Sequence, residues 1–391
     1  MATMPVALMP EDPEFDEEAQ AAHSSGWAVQ RLRFAHEAQL SPGFDAPPAP
    51  TRAVFRGFML SRQRRAFLHE SLMAQGLELV VSPSQYSNAH FFPSTYDALR
   101  ALAPRATWQP VDLSSEPRAE LFQEAVAVVQ SWNCRYVVLK DYVKSAKAQG
   151  SRFLQVPVDE DLAEVAMDFV RARGERFNEG VVFKEYVELM RYAGRAGYTT
   201  NEWRLWFMCQ QLVKVAANSF QEEADEPPKE VLEQVTEMAQ SIDSPYFTID
   251  LAETSTGWTI LEAGDGSVSG LGVYEDPAEH WQLLAAHFGE DDVQGPIRPK
   301  PFGSAAGPAT TGTRRRCDQF ETLHDDATAT LAQSGTAYGA FASALPAVGG
   351  HALRPDGDTL EPLDNRQQRS QDPGDVDGLW NLATRIHLVR I

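Results

Sequence analysis

The chain has 391 residues, more than a single hydrophobic core usually serves, so two or three structural units are expected. Acidic side chains outnumber basic ones 55 to 34, a formal charge of −21, and a surface of that sign repels phosphate backbones and anionic lipid. Nucleic acid and membrane are thereby set aside as main partners, and any anionic ligand needs a local basic pocket.

No run approaches the roughly 18–20 apolar residues of a membrane span. The opening MATMPVALMPEDPEFDEE is acidic where a signal peptide would be basic. Cys134, Cys209 and Cys317 form no CxxC pair and read as reduced thiols, so the expected location is cytoplasmic.

In chain order, residues 1–50 mix acid, alanine and proline and end in PGFDAPPAPT, the composition of a mobile arm. Residues 53–59 read as a strand, 62–75 as a helix with Gly76 suited to its C′ position, and 77–82 as a second strand. This is a small α/β unit over 51–112. A helix follows from Glu116 with Ser115 as cap, carrying Leu121, Phe122, Ala125, Val128, Val129 and Trp132 along one side. YVVLK (136–140) is a short apolar strand ending in a lysine. Asp159 is placed to cap a helix with Leu162, Val165, Phe169 and Val170 at 3–4 spacing, closed by Gly174. VVFKEYV (181–187) is another strand, and EWRLWFM (202–208) with QLVKVAA (211–217) reads as a hairpin. Pro227 and Pro228 precede a helix bearing Val231, Leu232, Val235, Met238 and Ile242. YFTIDL (246–251) and WTILEA (258–263) form a second hairpin through ETSTG. From about Pro296 small residues and turn formers take over, and 296–391 reads as a low-complexity, mostly disordered tail. Two helices, several hairpins and no serial βαβ alternation point to an α+β domain over 113–295.

Alternation puts Asp250 on one face with Tyr246 and Thr248, and Glu262 on one face with Trp258 and Ile260. With the turn centred near Thr256, Asp250 and Glu262 oppose each other across the strands. Two such carboxylates repel unless a cation sits between them, and an all-oxygen pair suits Mg²⁺; otherwise each is a solvated strand residue. Glu202 and Arg204 point the same way on one strand. A carboxylate can take both hydroxyls of a ribose and a guanidinium can fork onto phosphate, or the two form an exposed ion pair. Lys140 hands a strand over to the loop DYVKSAKAQGS, where Lys144 and Lys147 make a cationic flap suited to triphosphate, or a solvated charge run. GxxxxGK[ST] and GxGxxG are both absent.

The order of these signals resembles the ATP-grasp superfamily: strand, Lys140, loop, helix, KEYV strand, Glu202-x-Arg204, then Asp250 and Glu262. VLKDYVKSAK, RGFML, YSNAHFFP and LEAGDGSVSGL look like tracts of the clade whose name abbreviates an arginine-and-lysine signature. The likeness covers roughly 53–290, with a pre-ATP-grasp domain before two α+β subdomains that clasp ATP. It implies that the hinge strand with Lys184, Glu185, Tyr186 and Val187 meets adenine, that Lys140 reaches adenine and the α-phosphate, and that Glu202 holds the ribose. It also implies that Asp250 and Glu262 ligate magnesium. Many relatives carry asparagine two residues after the last metal-binding glutamate; here Gly264 stands there, so Asp265 is the candidate for a second ion.

Most such enzymes phosphorylate a carboxylate and let an amine displace phosphate from the acylphosphate, with Mg²⁺, Lys144 and Arg204 neutralising charge on the transferred group. The implied activity is an ATP-dependent ligase joining an amino acid or peptide carboxylate to an amine. Two alternatives stand beside it: an ATP-binding assembly factor like the cell-division-cycle-123-like proteins, and a small-molecule kinase. Arg56, His90 and Arg191 or Arg195 are candidates to face the substrate, or are surface residues.

Overall fold

The computed structural model describes residues 5–34, 38–40, 50–114, 117–145, 151–194, 197–221, 224–272 and 274–289. The tail expected over 296–391 lies outside the described residues, as do Ser115, Lys147, Arg195 and Cys317.

Five strands, β1 (Val6–Pro10), β2 (Ala28–Phe34), β3 (Ala38–Leu40), β4 (Thr51–Phe55) and β5 (Leu77–Leu79), form a sheet ordered β3-β2-β1-β4-β5. All pairs are parallel except β2–β3. Helices α1 (Asp16–Ser24) and α2 (Arg62–Met73) connect its strands. The mobile arm expected over 1–50 is therefore corrected. β1 is the central strand, and Ala7, Leu8 and Met9 have no exposed surface. A strand covered on both faces reads as a continuous apolar run without period-2 alternation, and five residues of it were too few to register. Only residues 31–34, RLRF, alternate, a run too short to mark β2 by itself.

Two helices unread in the sequence complete this unit: α3 (Pro83–His90) and α4 (Phe92–Leu99). Ser82 and Gln85 form a reciprocal capping box at the start of α3. The unit ends short of residue 112, because β6 (Ala106–Pro110) pairs with the next sheet.

That second sheet joins β6 to β7 (Tyr136–Asp141), β8 (Val156–Pro157) and β9 (Gly180–Glu185) in the order β6-β9-β7-β8, antiparallel throughout. Helices α5 (Gln123–Gln130) and α6 (Leu162–Arg173) bury Phe122, Val129, Phe169 and Val170 with Leu139 and Phe183. Asp161, not Asp159, caps α6 by accepting from the Glu164 N–H at 3.3 Å. Gly174 ends it at φ 51, a conformation that favours glycine.

The hairpin β10 (Arg191–Gly194) and β11 (Gly197–Thr200) precedes the third main sheet. Its strands are β12 (Glu202–Met208), β13 (Gln211–Ala217), β14 (Tyr246–Thr254) and β15 (Gly257–Asp265), ordered β13-β12-β14-β15. Helix α7 (Lys229–Ala239) buries Val235 and Ala239 with Leu205, Phe207, Ile249 and Leu251. Helix α8 (Pro277–Phe288) returns to the first unit, where Trp281 meets Trp27 edge-on at 5.3 Å. Cys134 is a free thiol. Among the described residues no helix is long and apolar enough to cross a membrane.

Candidate functional site

The β14–β15 register sets the site. The hairpin pairs Thr254 with Gly257, and a regular ladder from there would oppose Asp250 to Leu261. A bulge intervenes: Leu251 pairs with Ile260, but Asp250 pairs with Glu262, leaving Leu261 as the extra residue. Ile260 stays in the apolar cluster with Leu251 while Glu262 joins Asp250 on the other face. The expected face for Glu262, shared with Ile260, is thus corrected. On an unbroken strand, residues two apart share a face and the carboxylate would have entered the core.

The bulge also links two sheets. Lys184, from β9, donates its ammonium hydrogen to the Leu261 carbonyl oxygen. Lys140, from the neighbouring strand β7, lies 3.0 Å from Glu262 Oε2 and 5.6 Å from the centre of the Phe92 ring. Both lysines are buried. Burial, reinforced by Lys140 and opposed by Glu262, pushes the Lys184 pKa down to about 7.

Arg204 and Asp250 are register partners on β12 and β14 and form a two-pronged ion pair, Nε to Oδ1 and Nη2 to Oδ2 at 2.8 Å each. The third contact runs from Nη1 to the Gly270 carbonyl at 2.7 Å. Burial works against the guanidinium charge, but Asp250 outweighs it and holds the pKa above its ordinary value. Arg204 is therefore engaged by Asp250, and two of its five N–H groups lie outside these three contacts. Asp250 Oδ2 also accepts from Asn218 Nδ2 at 3.2 Å.

Lys144 does not ride a loose flap. The buried Asp141 accepts from the Val143 and Lys144 N–H groups at 2.8 and 2.6 Å, while Arg173 Nε holds its other oxygen at 2.9 Å. The Asp141 N–H returns to the Lys144 carbonyl, closing a tight turn.

The hinge reads differently from expectation as well. The Glu185 carboxylate is held at 2.8 Å by both Arg105 Nε and Arg105 Nη2, so its side chain is engaged. The Glu185 and Tyr186 N–H groups donate to Arg105 and Tyr136 carbonyls, whereas the Val187 N–H makes no hydrogen bond to the described residues. Glu202, at the start of β12, accepts from the Thr200 hydroxyl.

Asp265 does not join the Asp250–Glu262 pair. Three residues beyond Glu262, it projects to the opposite face and caps the turn at Gly266–Val268, accepting from the Ser267 N–H at 3.0 Å and from the Ser267 hydroxyl. Burial, opposed by Arg65 and Ser267, raises its pKa to about 6. Gly264 instead shares the face of Glu262. A Cβ there would stand 3.1 Å from Ser269 Oγ, 3.2 Å from Thr248 Oγ1 and 4.0 Å from His90 Nδ1, so a polar floor extends beyond the carboxylate pair. Arg56 is buried by its fork onto Glu18, at 2.9 and 3.0 Å, and by the Ser269 carbonyl at 2.7 Å; it braces the loop and does not face the cleft. Arg191 is exposed on β10.

Among the described residues no three His, Cys, Asp or Glu side chains converge on one point. Asp250 and Glu262 are an all-oxygen pair opposed across β14 and β15, with Arg204 on the first and Lys140 on the second. An open hollow of about 770 Å³ lined by Asp112, Pro117, Arg118, Leu121, Met167 and Arg171 includes none of these groups.

Residues 129–284, which span the lysine strands, the Arg204–Asp250 pair and the bulged hairpin, match the family model of the ATP-grasp domain, family 3 of the arginine-and-lysine clade. This segment is an ATP-grasp domain. No protein of curated function matches the sequence. Among solved structures, D-alanyl-alanine synthetase A from Vibrio cholerae O1 biovar eltor str. N16961 is 14% identical, with TM-score 0.48, covering 73% of this chain and 97% of that one. D-cycloserine synthetase DcsG is 16% identical, with TM-score 0.47, covering 72% and 98%. The RimK domain protein ATP-grasp from Sphaerobacter thermophilus DSM 20745 is 15% identical, with TM-score 0.43, covering 68% and 92%. In the ATP-grasp domain of this chain, the roles of Asp141, Arg173, Asn218, Thr248 and Ser269 were unread in the sequence. Their hydrogen bonds depend on tertiary placement, and no spacing signals them.

Proposed function

We propose that the ATP-grasp domain binds Mg-ATP between the β6–β9 sheet and the β12–β15 sheet, and that it activates a carboxylate as an acylphosphate for an amine acceptor. The observation that carries the nucleotide reading is the convergence of Lys140, Lys184 and the Arg204–Asp250 pair on one bulged hairpin. In a chain of formal charge −21, that is the local basic pocket a triphosphate needs. Lys140 and Lys184 would hold phosphate oxygens, and the Val187 N–H, which has no hydrogen bond among the described residues, would offer adenine a backbone donor. Asp250 and Glu262 would hold the magnesium, which when bound neutralises phosphate charge. Lys144, whose backbone is fixed by Asp141, would meet charge on the transferred phosphoryl group, and Arg204 would keep Asp250 oriented.

Calorimetry with ATP, with and without magnesium, tests the first half: absence of magnesium-dependent binding would remove it. ADP release screened against amino acids and peptide carboxylates, each with an amine acceptor, tests the second. A protein that binds ATP but releases ADP with no acceptor pair would be an ATP-dependent binding factor instead of a ligase.

A further inference from the structure

His90 reaches this site from the first unit, and it arrives with a hydrogen-bond position unfilled. It ends α3, and its side chain is 8% exposed. Tyr86 and Phe91 pack around its ring at centroid distances of 5.0 and 6.1 Å. Nδ1 accepts from the Asp265 N–H at 3.4 Å, the edge donor of β15. An imidazole whose Nδ1 accepts carries its hydrogen on Nε2 when neutral. That Nε2 is buried and has no hydrogen-bond partner among the described residues. A histidine serving packing alone would be expected to satisfy both nitrogens or leave one in water, since a buried unmade N–H donor is destabilising.

The surroundings specify what the donor meets. After burial, the charges acting most on the ring are Lys144, Glu262 and Lys140, followed by Arg65 from α2. Burial and the lysines hold the pKa down to about 3, so the ring is a neutral donor and not an acid at ordinary pH. Nδ1 lies beside Gly264, on the strand face of Glu262 and at the polar floor of Thr248 and Ser269. An N–H donor on a ring that lies in the field of two lysines and a proposed metal ligand fits an anionic oxygen more closely than any cation or apolar group.

Resting on the Mg-ATP reading above, we propose that His90 donates its Nε2 hydrogen to an oxygen of the nucleotide's terminal phosphoryl group. The first unit thereby contributes a specificity residue that separates ATP from ADP.

The test uses the full chain with magnesium and titrates β,γ-imido-ATP and ADP into the parent protein, His90→Phe and His90→Gln. His90→Phe should weaken the imido-ATP complex about tenfold and change ADP by less than twofold. His90→Gln, which keeps an N–H donor on a side chain of similar reach, should recover most of the loss. Imidazole ¹⁵N NMR of the parent protein needs no variant: the free protein should show the neutral Nε2–H tautomer, and its resonance should move with imido-ATP but not with ADP. Equal weakening of both nucleotides in His90→Phe, or a resonance indifferent to the terminal phosphoryl group, overturns the inference while leaving the ATP site standing. A parent protein that binds neither nucleotide overturns the ATP reading and this inference with it.

Discussion

Lys184 gives the sharpest test, because burial has moved its charge into the working pH range. Its ammonium group is buried between two sheets, next to Lys140, and its pKa is pushed down from 10.5 to about 7. The free protein therefore carries about half a charge there near pH 7, and a phosphate oxygen beside it would restore the whole charge. Binding then takes up a proton. If the bound form regains an ordinary lysine pKa, about 0.9 proton is absorbed per nucleotide at pH 8. From pH 7 to pH 9 the charged fraction of the free protein falls from about one half to about one hundredth, so affinity should drop roughly 50-fold.

Calorimetry of Mg-ATP in two buffers of different ionisation enthalpy measures the uptake directly, and Lys184→Met should abolish both the uptake and the pH slope. No proton uptake in the parent protein at pH 8, or undiminished uptake in Lys184→Met, would refute the reasoning. The same shift has a stability consequence of fixed sign. Below about pH 7 both the folded and unfolded chains are protonated and the penalty of burying the charge is complete. Between about pH 7 and 10.5 the unfolded chain binds more protons, so this group makes stability rise with pH, an effect that Lys184→Met should remove.

Other expectations follow from burial. Glu262 has a side chain 40% exposed but pairs with the buried Lys140, so Glu262→Gln should weaken Mg-ATP in titrations and lower the urea midpoint less than Asp250→Asn does. Asp250→Asn should weaken the nucleotide and also destabilise the fold, because it strands the buried Arg204. Arg204→Met should cost about 3–5 kcal/mol in urea unfolding, and the Arg204→Met/Asp250→Asn double variant should cost less than the sum of the two; additivity would mean the pair is not coupled. Deleting residues 1–34 should give aggregated protein, since it removes the central strand of the first sheet and the buried Trp27; a soluble, ATP-binding product would show that this unit is dispensable.

Sequence reading and structure part company at identifiable places. The longer strands and the helices of 136–263 were legible as apolar runs and 3–4 spacings between turn formers, whereas the short β8, β10 and β11 were not. The opposition of Asp250 and Glu262 was legible too, though for an incomplete reason. A turn centred near Thr256 would have placed them opposite each other directly, whereas the real turn falls half a residue earlier and the Leu261 bulge restores the register. Bulges leave no mark in composition. β1 was missed because its five apolar residues sit within acid, alanine and proline that read as an arm, and α3 because eight residues with a capping box but few apolar positions carry too weak a period.

What the residues by themselves determined was the set of chemical groups and their order: a lysine closing a strand, a carboxylate and an arginine two apart, and two acids on paired strands. Local geometry depends on neighbours in sequence, so these relations are encoded in short stretches. Only the tertiary structure decided which groups engage one another. It drew Arg204 onto Asp250, removed Asp265 to the far face, pinned Lys144 through Asp141, and brought His90 from α3 to the edge of β15. The Arg204–Asp250 and His90–Asp265 contacts join residues 46 and 175 positions apart and are fixed by the meeting of separate elements, whereas Asp141–Lys144 and Asp265–Ser267 are closed by local turns.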